Sequence, residues 1–299
     1  MDSPHHFYRL GSKIGKGSFG SVYQGFYKKP GQPQKIVAIK VLDASKYSKL
    51  EAELTASIPP HPNVCKFLDT WVLNDKRYIA VELIDGMSLR NWLDAFDFDE
   101  PIDWRKIIDI FLQIFSGIAH LHEHLIFHGD IKPANIMIIG RHDGTIQLKH
   151  IDFGESSHFG SPFGSPFGSI PQRKTGSPLY FSPENSSADL EFSLDHTSLD
   201  HTSDIWAAAI IILECVSGGK QTPWFLMDFK SKEDIVERLQ KLDYSKTPFP
   251  AEYFQHESQI AVFLARIAQR CLALDKSERP SAQNVVTELS AKLAELGDA

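Results

Sequence analysis

Apolar positions along this chain follow two different periods. Up to about Leu83 they come in short runs broken by turn residues: Tyr8–Ile14, Gly20–Phe26, Ile36–Leu42, Phe67–Leu73 and Tyr78–Leu83. Runs of that length, bounded by Gly, Pro, Asn and Asp, predict strands. One stretch among them, near Ser48–Ile58, is spaced as a helix. Beyond Leu83 the helical period takes over. Ile107, Ile108, Phe111, Leu112, Ile114, Phe115 and Ile118 make Trp104–Leu121 a mostly buried helix. Ile205–Val216 is apolar on nearly every face and predicts a central helix, while Ile260–Leu272 and Ala282–Leu296 are amphipathic and follow turn signals. Asp85-Gly86 marks a hinge between the two regimes. The pattern therefore predicts a small strand-rich lobe followed by a larger helical one.

Two tandem repeats interrupt it. Residues 159–169 read FGSPFGSPFGS and residues 193–203 read SLDHTSLDHTS. Their periods are too short for a solenoid unit and their composition is that of flexible loop insertions.

Composition changes this picture little. A chain of 299 residues with 42% hydrophobic content can bury a substantial core. A net charge of −7 without a Lys/Arg block gives no indication of a nucleic-acid or anionic-membrane surface. Cys65, Cys215 and Cys271 lie far apart in apolar contexts, so buried thiols are expected, with no disulfide and no zinc. Met1–Tyr8 lacks a signal-peptide pattern, and the longest apolar run, Ile205–Leu213, is too short to span a bilayer. An intracellular, cytoplasmic protein is the expectation.

The candidate chemistry sits in four places. His128-Gly129-Asp130-Ile131-Lys132-Pro133-Ala134-Asn135 crowds an Asp, a Lys and an Asn between two apolar runs. Such a set suits a phosphate with its metal, or else a polar loop capping a helix. Gly15-Lys16-Gly17-Ser18-Phe19-Gly20-Ser21-Val22 is a glycine-rich turn, and glycines let backbone amides approach phosphate oxygens. A strand pattern follows it, where a dinucleotide-binding turn would lead into a helix. Val37-Ala38-Ile39-Lys40 ends a strand on a lysine, ordinarily a solvated position. In Leu148–Gly154, Asp152 before Phe153-Gly154 is either a turn former or a carboxylate aimed at a metal. Each is ambiguous alone; their order along one chain is not a chance pattern.

Taken together these stretches resemble the eukaryotic-type protein kinases, serine/threonine-directed, over about residues 8–296. GKGSFGSV resembles the glycine-rich loop, VAIK the strand lysine, HGDIKPAN the catalytic loop and DFG the metal-binding turn. Gly176–Glu184 resembles the segment ending in Ala-Pro-Glu, with Ser182 in place of the Ala. Ser203-Asp204-Ile205-Trp206 looks like the start of the family's central helix, and Arg279-Pro280 like the distal arginine that pairs with Glu184. The resemblance implies an α+β, bilobal fold in one domain, 1–299. Its β-rich N-lobe with one main helix would cover about 8–84, its mostly helical C-lobe about 85–296 and its activation segment 152–184.

The residue roles that follow are those of an ATP- and Mg2+-dependent kinase acting on protein Ser/Thr hydroxyls. Ile14, Gly15, Lys16, Gly17, Ser18, Phe19 and Gly20 would surround the phosphates. Lys40 would hold the α/β-phosphates and pair with Glu51, since Leu54 and Ile58 then share the core-facing side, or with Glu53 as runner-up. Asp152 and Asn135 would carry magnesium, Asp130 would take or orient the substrate's hydroxyl proton, and Lys132 would steady the γ-phosphate. The adenine would lie between Val22 and Ala38 above and Met137 below, with Val81 behind it and backbone hydrogen bonds from about Glu82 to Ile84. Ser177 would face the catalytic loop. A protein substrate is implied, with no nucleic acid, no membrane insertion and no statement on oligomeric state.

Departures from the family pattern are informative. Gly129 stands where many members carry an Arg that binds a phosphate on the activation segment, so activity is expected to depend weakly on that phosphate. Thr55 falls where an apolar residue is usual, and its hydroxyl, if buried, needs a partner or the helix register is off. The rival reading, a pseudokinase serving as a scaffold, usually loses the Lys, an Asp or the Asn; all are present.

Overall fold

The computed structural model describes residues 4–16, 20–96, 101–159, 177–186, 200–217, 223, 226, 228, 230–246, 249–254 and 257–297. Its first part is an antiparallel sheet of strands β1 (Tyr8–Lys16), β2 (Gly20–Tyr27), β3 (Lys35–Asp43), β4 (Phe67–Leu73) and β5 (Lys76–Glu82), ordered β1-β2-β3-β5-β4. Alternation decides which face of the sheet is covered. On β3, Val37 and Ile39 join a cluster with Trp71 and Ala80, while Leu42 packs with Ala52 and Ile79. Gly20 has a packing reason, because a Cβ there would lie 2.4 Å from the Val41 carbonyl oxygen across the strand pair.

Helix α1 (Lys46–Ser57) lies against this sheet. It starts where the sequence supplies a cap: the Ser45 hydroxyl accepts from the Ser48 amide and Ser48 returns the bond to the Ser45 amide. It stops because Pro59 forces Ile58 out of helical geometry, to φ −70° and ψ 119°. Thr55 is buried, and its hydroxyl donates to the Glu51 carbonyl at 2.6 Å one turn earlier. The polar group in an apolar column is thus satisfied within its own helix, and the register stands.

The second part begins with β6 (Met87–Ser88) and α2 (Leu89–Ala95), followed by α3 (Trp104–Glu123), capped by the Asp103 carboxylate on the Lys106 amide. Short β7 (Ile126–Phe127) leads into the loop before β8 (Ile136–Gly140) and β9 (Ile146–His150), and β10 (Ser157–His158) pairs back on β7. Then come α4 (Thr202–Val216), α5 (Lys232–Gln240), α6 (Gln259–Cys271) and α7 (Ala282–Glu295). Every residue of α4 from Ser203 to Val216 is buried, as an all-round apolar helix requires. In the helical core α6 and α3 pack on it, and α7 packs on α3.

Where the two parts meet, Leu54 of α1, Val64, Cys65, Leu121, Ile126 and Phe153 form one apolar cluster. This contact couples α1 to the helical lobe. The second SLDHT copy corrects an expectation. Asp200 accepts from the Thr202 amide and hydroxyl and from Lys276, the Ser203 hydroxyl donates to the Asp200 carbonyl, and the His201 ring stacks on Phe159 at 4.5 Å. Residues 200–203 therefore open α4 and are no flexible insertion, because Asp and Ser here serve as helix-end hydrogen-bonding groups. The first copy and residues 160–176 lie outside the described residues, as do nearly all of the SPFG repeats.

Candidate active site

Between the lobes is a cleft of about 280 Å³. Its walls include Ile14, Gly15, Val22 and Ala38 from the sheet, Val81, Glu82 and Ile84 from the connecting edge, and Met137 from β8. Lys40, Glu51 and Asp152 stand at its polar end. Lys16 and Gly20 do not line it, and Gly17, Ser18 and Phe19 lie outside the described residues. The Glu82 amide donates to the Lys66 carbonyl at 2.9 Å, and its carboxylate pairs with Lys149 at 2.7 Å.

At the polar end the Lys40 ammonium meets Glu51 at 2.5 Å and Asp152 at 2.7 Å. Glu53 points elsewhere, pairing with Lys49 at 3.7 Å on the exposed side of α1. Burial works against the Lys40 ammonium, but the carboxylates of Glu51 and then Asp152 outweigh it and hold its pKa above the usual lysine value. Burial likewise opposes the Asp152 carboxylate, yet Lys40 prevails and holds it below the usual range. Asp152 adopts a left-handed backbone, φ 64°, uncommon for a residue with a side chain. That turn sends its carboxylate to Lys40 while Phe153, 4% exposed, packs with Leu54 under α1.

The loop between β7 and β8 holds the second group. Asp130 Oδ2 accepts from Lys132 Nζ at 2.6 Å and from Asn135 Nδ2 at 2.7 Å. Asp130 Oδ1 accepts no hydrogen bond among the described residues. Asn135 Nδ2 also donates to the Asp130 carbonyl, which commits the amide nitrogen and leaves the amide oxygen for another partner. Asp152 Oδ1 takes Lys40 and the Gly154 amide, and Oδ2 accepts no hydrogen bond among the described residues. Asn135 Oδ1 and Asp152 Oδ2 are hard oxygen donors of the kind a Mg2+-class divalent ion prefers.

The scaffold beneath the loop is Asp204. Its carboxylate accepts from the His128 amide at 2.7 Å, the Gly129 amide at 2.9 Å and His122 Nε2 at 3.0 Å. Burial raises the Asp204 carboxyl's pKa, but the His122 hydrogen bond and charge more than reverse this and hold it low. Gly129 has φ +79°, and a Cβ there would stand 2.5 Å from the Glu155 carbonyl oxygen. Ser177 shares a small pocket with Gly129 and Asp130. Glu184 takes a bidentate pair from Arg279, at 2.5 and 2.9 Å, and the guanidinium also lies over the Trp206 ring at 5.0 Å.

Sequence reasoning missed Thr55, Cys65, Ile79, Ile151 and Phe153 as cleft walls, while Leu83 falls within the Glu82-to-Ile84 segment it did place there. Ile151 adjoins Asp152, which it singled out, so neighbourhood was a usable signal. Cys65 had none: it comes from the loop before β4, and burial pushes its thiol up to about 12.

Comparison with known proteins agrees with this geometry. A family model described as the protein kinase domain matches residues 8–289. A probable serine/threonine-protein kinase of Dictyostelium discoideum is 27% identical over 286 residues, covering 93% of this chain and 50% of that protein. The serine/threonine-protein kinase CHK1 of Saccharomyces cerevisiae is 31% identical over 237 residues, 76% of this chain and 41% of its own. The serine/threonine-protein kinase pkn3 of Myxococcus xanthus is 27% identical over 293 residues, covering 95% and 49%. The chain thus spans about half the length of the curated relatives it matches.

Proposed function

The chain belongs to the protein kinase family, and on that premise we propose that it transfers the γ-phosphoryl group of ATP to serine or threonine hydroxyls of protein substrates, with Mg2+ as the metal. The observation that carries this reading is Oδ1 of Asp130, which accepts no hydrogen bond among the described residues while Lys132 and Asn135 hold the other oxygen. An unsaturated carboxylate oxygen beside a lysine is suited to accept a hydroxyl proton.

In this reading the apolar cleft takes the adenine between Val22 and Ala38 on one side and Met137 on the other, with Val81 at its back. Because the Glu82 amide is committed to Lys66, the backbone donor to the base comes from farther along, at Ile84. Lys40, oriented by Glu51, holds the α/β-phosphates, and Lys132 steadies the γ-phosphate. Asn135 and Asp152 would hold the metal, which when bound would supply neutralising charge to the phosphates. As the substrate oxygen bonds to the γ-phosphorus, the bond from phosphorus to the bridging oxygen of ADP breaks, and the hydroxyl proton passes to Asp130 Oδ1. Phosphoryl transfer needs alignment and charge neutralisation above all, and each polar group here has one of those two tasks.

Transfer of radiolabelled γ-phosphate to a mixed Ser/Thr substrate such as a basic peptide pool tests the assignment. Wild type should label it, and Lys40→Met should lower the rate by roughly 100-fold or more, the scale on which transition-state charge stabilisation acts. Equal, background-level labelling by both proteins would sink the enzyme reading in favour of a scaffold.

The left-handed Gly129 adds a regulatory element to the proposal. No guanidinium at this position can clamp a phosphate on the activation segment, so turnover depends only weakly on one. Phosphatase treatment should leave the rate within about twofold, the effect of losing at most an exposed charge contact; abolished turnover contradicts it.

A further inference from the structure

The end of α3 carries a polar cluster that does not line the cleft and that phosphoryl transfer does not use. His120, Glu123 and His124 are spaced i, i+3, i+4, so the last turn of the helix and its cap bring them to one face. One ligand-capable atom from each lies within 4.8 Å of the other two. Both rings are already oriented. His120 Nε2–H donates to the Pro59 carbonyl at 2.9 Å, and His124 Nδ1–H donates to the His120 carbonyl at 2.7 Å.

Carbonyl oxygens only accept, so these bonds fix the two tautomers. They leave His120 Nδ1 and His124 Nε2 as the nitrogens with lone pairs. Metal-ligating histidines are commonly held this way, with one nitrogen on a backbone carbonyl and the other left available to an ion. The ring of His61 stacks on His120 at 4.5 Å and 16°, adding a flat wall on one side. Glu123 and His124 are exposed and His120 is half-buried, so an ion reaches them from solvent.

We propose that His120, Glu123 and His124 form a binding site for a zinc-class divalent transition-metal ion. Two imidazoles and a carboxylate suit Zn2+ with water in the fourth position, whereas Mg2+ prefers oxygen donors alone. The three cysteines, which carried no zinc spacing, are buried elsewhere and take no part. Through the His120–Pro59 bond, occupancy ties the end of α3 to the segment just after α1, the helix that carries Glu51.

Calorimetric titration of the chelator-stripped full chain with zinc chloride, in saturating Mg2+ so that the oxygen-lined site is filled, tests this. Wild type should take up one tight equivalent. The His120→Ala/His124→Ala pair should weaken it by about tenfold or more, given that loss of a mere supporting partner costs 10–100-fold. Co2+ in place of zinc should give the visible bands of a four-coordinate ion in wild type only. Should loss of the Pro59 contact unfold the double variant, His124→Ala alone decides, since that ring is exposed. Indistinguishable zinc titrations for wild type and His124→Ala, or no uptake by wild type, overturn the proposal.

Discussion

Asp130 and Asp204 are separated in space by little more than Gly129, and they are used in opposite ways. Asp204, its side chain 1% exposed, spends both oxygens on the His128 and Gly129 amides and on His122. Asp130, 13% exposed, receives both of its side-chain bonds on one oxygen and keeps the other open among the described residues. The saturated carboxylate is a strut that shapes the loop; the unsaturated one can still do chemistry. The same contrast separates Arg279, whose donors go to Glu184, Thr202 and Ala273, from Lys40, which opens onto the cleft. A buried charge alone therefore says little about function. Unspent hydrogen-bonding capacity facing a cavity says more.

Isosteric amides break the comparison most directly. Asp130→Asn removes the proton acceptor while keeping shape, so turnover should fall by about 10²–10⁴-fold with an unfolding midpoint close to wild type. A matching loss of stability would mean that Asp130 is a second strut. Asp204→Asn places an amide NH2 against backbone N–H donors in a buried site. Stability should drop by about 3 kcal/mol in urea titration, and turnover should fall with it because the loop carrying Asp130 shifts. An active, fully stable Asp204→Asn protein would remove the distinction.

The smallest effect sharpens what lies behind the loop. His150, 1% exposed, donates from Nε2 to the Ile114 carbonyl, and burial pushes its pKa down to about 3 from the ordinary 6.5. The unfolded chain thus binds the extra proton between those values, and stability, complete above pH 6.5, is lost as pH falls toward 3. The slope from this group is about 1.4 kcal/mol per pH unit. His150→Gln should flatten the acid limb of stability against pH by that amount between pH 6 and about 4.5; an unchanged limb would show that other groups govern it.

Much of the fold was legible because its elements report local burial. The β4 span, Phe67–Leu73, is the one the apolar run predicts, and α3 and α4 differ from their predicted spans only at the ends. The lysine, aspartates and asparagine were legible because their order along the chain resembles the protein kinase pattern, and phosphoryl transfer has a use for each group. The second SLDHT copy was misread because its Ser, Thr and Asp look alike in a loop and at a helix start. Thr55 looked like a register error because the Glu51 carbonyl that satisfies it is a backbone atom.

By itself the sequence determined the two lobes, the identity of the polar groups and the departure at Gly129, since periodicity and residue chemistry are properties of short segments. Only the tertiary structure decided that Glu51 and not Glu53 meets Lys40, that Asp130 keeps an open oxygen while Asp204 has none, and that Cys65 walls the cleft. The physical reason is that a hydrogen-bond acceptor is saturated or free according to donors that arrive from elsewhere in the chain. For Asp204 those donors are His122, His128 and Gly129, brought in from α3 and the loop after β7. No local pattern of apolar and polar residues records their arrival.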